Sequence, residues 1–135
     1  MQVSVSNQCH FKHPDFSGPG RWYGVCHNGV ASGRGYGLVM NERGDSVEFI
    51  GEAKKGLASG SGGMIIQRRE QVGATYFEGG FKNGLPDGVV RVEKAGETPK
   101  LRQFRAGVDV GKASAADLQS LNFASSLVAA GALIP

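Results

Sequence analysis

The sequence predicts a mainly β protein: an elongated antiparallel sheet of stacked β-hairpins with a C-terminal capping α-helix. Three observations predict it. A skeleton of aromatic-x-Gly-x-x-x-x-Gly-x-x-x-Gly-x-Gly runs from Trp22 to Gly35, returns from Phe49 to Gly62, and returns again from Phe77, where only its last glycine is lost. Its first glycines fall at 24, 51 and 79, steps of 27 and 28 residues, and a fixed period of roughly 20–50 residues marks a stacked-repeat architecture. Asn28-Gly29 and Asn83-Gly84 lie at equivalent places in the skeleton and are strong signals for a two-residue type I′ turn, which needs positive φ at both central positions. Finally, the composition changes character at residue 114.

In chain order, residues 1–21 are an N-terminal strand and loop cap. Val3 and Val5 alternate with polar residues, as in a short edge strand. Cys9, His10, Phe11, His13, Pro14, Gly18, Pro19 and Gly20 then read as a loop held by prolines and glycines. Residues 22–113 hold three to four hairpins. Residues two apart share a face of a strand, so Trp22, Gly24 and Cys26 point one way, as do Phe49, Gly51 and Ala53, and Phe77, Gly79 and Phe81. Tyr36, Leu38 and Met40 point to the other face from Gly35, Gly37 and Val39. A glycine between larger residues leaves a groove over which a ring of the next repeat can lie. Lys55-Gly56 and Ala106-Gly107 occupy the turn position less ideally than Asn-Gly, and the return strands run over Val30 to Met40, Leu57 to Gln67 and Leu85 to Val92. Gln103 to Gly111 is a worn fourth copy. The links after each return strand are polar and charged. The first, Asn41 to Asp45, contains Arg43-Gly44-Asp45, a tripeptide known for adhesion elsewhere but short enough to arise by chance, and here it serves a polar turn. Residues 114–135 read as a helix and tail. Ser114 stands three before Asp117, close to a capping box, and Leu118, Leu121, Ser125 and Val128 follow at helical spacing, giving a helix over about Ala115 to Ala130 that stops near Gly131. A short repeat array needs its end covered.

The aromatic-and-glycine skeleton resembles the MORN repeat (membrane occupation and recognition nexus) over about Trp22 to Lys112. Cys26 and Ala53 stand where that family usually carries a second aromatic, and Lys100 and Arg102 stand where the fourth copy should have an aromatic and a glycine. The resemblance implies an elongated sheet of hairpins and, from the family name, binding to phospholipid headgroups. The arrangement Cys9 … Trp22-x-Gly24-x-Cys26 is also similar to small bacterial envelope MORN proteins.

Cys9 and Cys26 are the two cysteines of the chain, 17 residues apart. Paired, they would pin the lead-in over the end of the stack, contribute about 3 kcal/mol in the chain-entropy model, and imply an oxidising compartment, periplasmic or secreted. The alternative is two reduced thiols, one of them core filler. Cys9, His10, His13, Cys26 and His27 lack the paired short spacings of a structural zinc site, so no metal is expected, and His10 and His13 read as exposed loop residues. Cys26 and His27 are sequence neighbours pointing to opposite faces of a strand, which rules them out as a nucleophile–base pair. With neither a phosphate loop nor a dinucleotide fingerprint, the chain reads as no enzyme, and no cofactor is expected. A net charge of +3 is too small to imply nucleic acid. No apolar run approaches the ~20 residues of a membrane span, and no signal peptide is visible at the start.

The surface offers two features. His27, Lys54 (with Lys55), Lys82 and Arg105 stand just before or within the hairpin turns and should line up along one edge. That edge is either a rail for an acidic partner or for anionic lipid, or a charged rim that guards against aggregation. Tyr36 and Tyr76 join them as partner-binding candidates. The sequence therefore predicts a non-catalytic protein-binding module of the bacterial envelope, of an inhibitor or immunity type or an accessory subunit. A phospholipid-headgroup binder and an architectural domain that homodimerises through its open strand edge are the competing readings.

Overall fold

The computed structural model describes residues 9–113 and, as backbone, the two-residue strand Val3–Ser4. The helix expected over 115–130 lies outside the described residues. The strands are β1 (Val3–Ser4), β2 (Gly20–His27), β3 (Val30–Met40), β4 (Ser46–Lys54), β5 (Leu57–Gln67), β6 (Thr75–Lys82), β7 (Leu85–Lys94), β8 (Lys100–Arg105) and β9 (Val108–Lys112). They form one sheet in chain order, each antiparallel to the next. β2–β3, β4–β5, β6–β7 and β8–β9 are the four hairpins.

The turn residues decide the hairpins. All four loops hold two residues at positive φ: Asn28 and Gly29 at 50 and 80°, Lys55 and Gly56 at 53 and 84°, Asn83 and Gly84 at 53 and 87°, Ala106 and Gly107 at 50 and 85°. This is the type I′ geometry, whose twist matches that of the flanking strands. The third glycine of the skeleton has a separate cause. Gly24 pairs with Gly35 and Cys26 with Ala31, so two steps along β2 face four along β3. The same bulge recurs between Gly51–Gly62 and Ala53–Ala58, and between Gly79–Val90 and Phe81–Pro86. In each bulge sits a glycine at positive φ, Gly33 at 116°, Gly60 at 101° and Gly88 at 88°, where a side chain would be strained.

One face, here the inner face, carries the core. Trp22, Phe49 and Phe77 share a single register row, Trp22–Gly37–Phe49–Met64–Phe77, and Trp22 and Phe49 are fully buried. The rings lie on glycines of their own hairpin: a Cβ on Gly35 would stand 2.6 Å from Cζ2 of Trp22, and one on Gly62 would stand 2.6 Å from Cε1 of Phe49. The covering ring thus comes from the same hairpin rather than from the next repeat, because each return strand folds back directly beside its own aromatic. In the third hairpin Val90 takes the glycine's place, and Phe77 meets Phe104 edge-on at 6.1 Å.

Residues 9–19 do not simply cap the end of the stack; they cross the inner face. Their burial alternates with period two, Cys9, Phe11 and His13 inward, His10 and Lys12 outward, which is the habit of an extended chain. The Phe11 ring inserts between Trp22 and Phe49, with centroids 5.2 and 5.8 Å away, and lies over Gly37. Removing such a ring from water is worth roughly 1.5–3 kcal/mol. The main chain is stitched to the sheet as well: Trp22 N–H donates to Cys9 O at 3.0 Å, His10 N–H to Gly29 O at 2.9 Å and Lys12 N–H to Gly56 O at 2.8 Å. Cys9 and Cys26 form a disulfide, which fixes the start of this strap to β2. His13, expected to be exposed, is buried instead: its Nδ1 accepts from Asp15 N–H at 3.1 Å, and its ring stands edge-on to Phe16 at 5.3 Å.

Candidate functional site: the outer face and its turn edge

The inner face being strapped, the chemistry open to a partner lies mainly on the outer face. Register places Tyr23, Tyr36, Ile50, Gly63, Glu78, Arg91 and Leu101 in one row across the sheet. The row is apolar at its N-terminal end. Tyr23 and Ile50 are 42 and 47% exposed, and Met40, further along β3, is 52% exposed. Tyr23 and Tyr36 stack at 6.2 Å. The Tyr36 hydroxyl donates to Glu48 Oε1 at 2.6 Å, and burial, followed by that bond to a carboxylate, pushes its pKa up to about 12. Tyr36 is therefore a fixed, neutral donor at any physiological pH. Tyr76, half-buried on the same face, is likewise raised to about 12, chiefly by burial and then by the charge of Glu78.

The C-terminal end of the row is charged, and alternation alone did not mark it. Glu78 is buried at 2% exposure, neither carboxylate oxygen is hydrogen-bonded among the described residues, and Arg91 Nη1 is 3.9 Å away and 2.9 Å from Glu93. Burial raises the Glu78 pKa, since a charge removed from water is disfavoured. A glutamate on the outer face of a strand reads as solvated; here its neighbour across the ladder is Gly63, and the Tyr76 side chain lies over that glycine, its hydroxyl 2.9 Å from where a Cβ would stand.

The expected basic column exists as a line of equivalent positions. His27, Lys54, Lys82 and Arg105 end β2, β4, β6 and β8, each opposite the first residue of the return strand. All four, and Lys55 in the second turn, are exposed. Among the described residues none of them has an ion-pair partner, whereas Arg43, Arg68, Arg91, Lys100 and Arg102 all do. His27 contacts Asn28 across its ring nitrogen at 3.2 Å. Cys9 and Cys26 are spent on each other, so the sulfurs of the imagined zinc set are bonded together. Among the described residues no group of three or more His, Cys, Asp or Glu could hold a metal.

At the opposite, link end of the sheet a cleft of about 600 Å³ is lined by Glu42, Arg43, Asp45, Arg68, Arg69, Glu70 and Gln71. Its centre is structural. Asp45 is buried, accepts from Arg69 N–H at 2.8 Å and Asn41 Nδ2 at 3.0 Å, and stands near Arg68 and Arg43. The Asn41 bond first, and the Arg69 amide next, hold its carboxyl below the usual range. Arg43-Gly44-Asp45 is thus a tied turn whose carboxylate faces inward, not a displayed adhesion loop. Arg68 lies over the Phe16 ring at 5.1 Å, joining this link to the far end of the strap.

No protein-family model matches the chain, and no curated protein sequence matches it significantly.

Proposed function

We propose that this chain is a non-catalytic protein-binding module of an oxidising compartment, built of MORN-type hairpins, and that it acts on its partner by occupying it, as an inhibitor, an immunity-type protein or an accessory subunit does. The observation that carries the reading is the Tyr23–Tyr36–Ile50 row with Met40 beside it, a set of large apolar and amphipathic side chains on a rigid sheet face. Rigid aromatic side chains at the centre of a patch dominate binding energy at protein interfaces. The MORN assignment rests on the recurring aromatic-glycine skeleton and on the turn and bulge glycines that give each repeat the same local backbone. A periplasmic or secreted location is supported by the Cys9–Cys26 disulfide, since such bonds persist in oxidising compartments.

The test is crosslinking of the native protein in an envelope extract, with Tyr23→Asp plus Ile50→Asp as the control. A stoichiometric partner that the double variant loses supports the reading; a partner that both proteins retain equally removes the outer face from it. A second reading is favoured by the unpaired column: a surface that docks on anionic phospholipid through Lys54, Lys82 and Arg105. Co-sedimentation with phosphatidylcholine vesicles, with and without phosphatidylglycerol, decides it. Reversing those three charges should abolish binding to the anionic vesicles, and unchanged binding ends this reading.

A further inference from the structure

The fourth hairpin departs from the repeat at two inner-face positions. The row that holds Trp22, Phe49 and Phe77 ends at Val92 and Lys100. The neighbouring row, which runs through Gly24, Gly51 and Gly79, ends at Val90 and Arg102. Two cations thus stand where three hairpins carry a ring and a glycine. The strap does not reach them. It advances two residues per hairpin, for His10 and Lys12 donate their amides to Gly29 O and Gly56 O. It ends against the third turn at Pro14, which has no N–H and whose Cδ lies 2.6 Å from where a Cβ on Gly84 would stand. From there the chain reverses, with Phe16 N–H donating to His13 O at 3.1 Å.

At the link end of this unstrapped face a cleft of about 220 Å³ is lined by Val92, Lys94, Thr98, Lys100 and Arg102, together with Glu97 and Asp109. Arg102 is held from one side. Its Nε donates to Oδ1 and Oδ2 of Asp109 at 3.0 and 2.9 Å, and Asp109 Oδ1 also accepts from Gly111 N–H at 3.0 Å. Among the described residues nothing accepts from Nη1 or Nη2 of Arg102. The guanidinium is therefore anchored at its Nε and keeps a two-pronged donor edge, which matches the two oxygens of one carboxylate. Lys94 has no ion-pair partner among the described residues, and Lys100 stands 4.0 Å from Glu97 with both side chains exposed, a contact that contributes little.

We propose that this cleft binds the carboxylate of a short organic acid with an apolar body, free or at the end of a chain. The carboxylate accepts from Nη1 and Nη2 of Arg102 and from the Thr98 hydroxyl, while Lys94 and Lys100 supply further positive charge. The apolar body lies on Val92 and along its row toward Phe77, both half-buried. Three cations against two carboxylates leave the cleft one positive charge in excess, which suits a monoanion better than a phosphate dianion. The inference does not rest on the outer-face reading above; it rests on the two substituted positions, on the anchoring of Arg102 by Asp109 and on the cleft they border.

The experiment titrates the full oxidised chain with hexanoate, hexanamide, N-acetylleucine and inorganic phosphate, and reads binding by amide shifts. The expected result is saturable binding of hexanoate with shifts at Val92, Thr98 and Arg102, and none for the uncharged hexanamide. Tighter binding of N-acetylleucine than of hexanoate assigns the site to chain ends, and the reverse order assigns it to free acids. Arg102→Gln should weaken hexanoate binding roughly tenfold, as loss of hydrogen bonds to a charged group predicts. Arg102→Lys, which keeps the charge without the fork, should fall between the two. If Arg102→Gln loses the circular dichroism of the sheet, the exposed Lys100→Gln supplies the test, with a loss of roughly threefold. Absence of binding at millimolar hexanoate, equal binding of hexanamide, tighter binding of phosphate, or undiminished binding by a folded Arg102→Gln would each overturn the proposal. Tyr23→Asp plus Ile50→Asp should leave hexanoate binding intact, so failure here and failure of the outer-face reading stay distinguishable.

Discussion

The first two hairpins and the last two are built on one backbone plan but filled differently. Just before each turn, the inner face carries Cys26, Ala53, Phe81 and Phe104 in successive hairpins. In the first two this position is small, and the strap supplies the missing volume: Cys9 bonds to Cys26, and Phe11 seats between Trp22 and Phe49. In the last two the position is aromatic; Phe81 meets Phe49 at 5.3 Å and Phe104 meets Phe77 at 6.1 Å, both edge-on, with no strap alongside Phe104. The outcome in burial is plain, for β4 alternates cleanly while β9 is almost wholly exposed. The difference teaches that a repeat's departure from its own pattern can be the imprint of another segment: rings are absent from this column where a foreign ring is inserted.

The largest test of this contrast is Phe11→Ala. Truncating a buried phenylalanine costs about 3–5 kcal/mol, and amide exchange should quicken in β2 through β5. Phe104→Ala should cost less, about 2 kcal/mol, because the site lies near an exposed edge and can collapse. Equal losses for the two variants would break the distinction between the halves. Next, Cys9→Ser with Cys26→Ser should lower stability by about 3 kcal/mol. Exchange protection should fall at His10, Lys12 and Trp22 while that of Gly84 and Gly107 is kept; uniform loss would mean the strap stabilises the whole sheet rather than one half.

Acid titration separates the halves by sign. Burial first, with Arg68 assisting and Asp15 opposing, lowers the pKa of His13 below its ordinary 6.5. Its contribution to stability is therefore complete above pH 6.5 and is lost as pH falls through the lowered value, a loss that His13→Gln should remove. Burial raises the pKa of Glu78 above its ordinary 4.5, so its contribution is present below pH 4.5 and is lost as pH rises through the raised value. Glu78→Gln should flatten that second limb. A thermal-melt series from pH 4 to 8 reads both, and a variant with the wild-type profile refutes the assignment of its limb. The smallest effect is local. Lys55→Asn and Ala106→Asn place a residue tolerant of positive φ in the two turns that lack it, and each should add about 0.5 kcal/mol by chemical denaturation. A gain at Asn-for-Lys55 without one at position 106 would show the edge turn to be frayed.

How much of this was legible follows from the range over which each signal acts. The hairpins, their two-residue turns and the row of Trp22, Phe49 and Phe77 were readable because each needs only neighbours within one repeat: Asn-Gly writes its turn locally, and period two writes its face. The bulge glycines Gly33, Gly60 and Gly88 stood in the skeleton but their cause did not, because an extra pair of residues shows only when both strands are paired. The strap reads from sequence as a loop over one end, although Cys9-x-Phe11-x-His13 has strand alternation; its course across the inner face depends on Trp22, Phe49 and two glycine turns spread along the chain. The basic column fell where the turns put it, with His27, Lys54, Lys82 and Arg105 at equivalent strand ends. Glu78 was invisible, because burial on an outer face is decided by what stands across the ladder.

The two-residue step of the strap also makes it a ruler. Its length between Cys9 and Pro14 is commensurate with three turns, so a hairpin inserted within that span would outrun it, and two more residues would be required ahead of Pro14 to restore the fit. A hairpin inserted after Gly84 would meet no such constraint. Growth of this kind of molecule is therefore metered at its N-terminal side and free at the other, an asymmetry set by a single missing amide hydrogen.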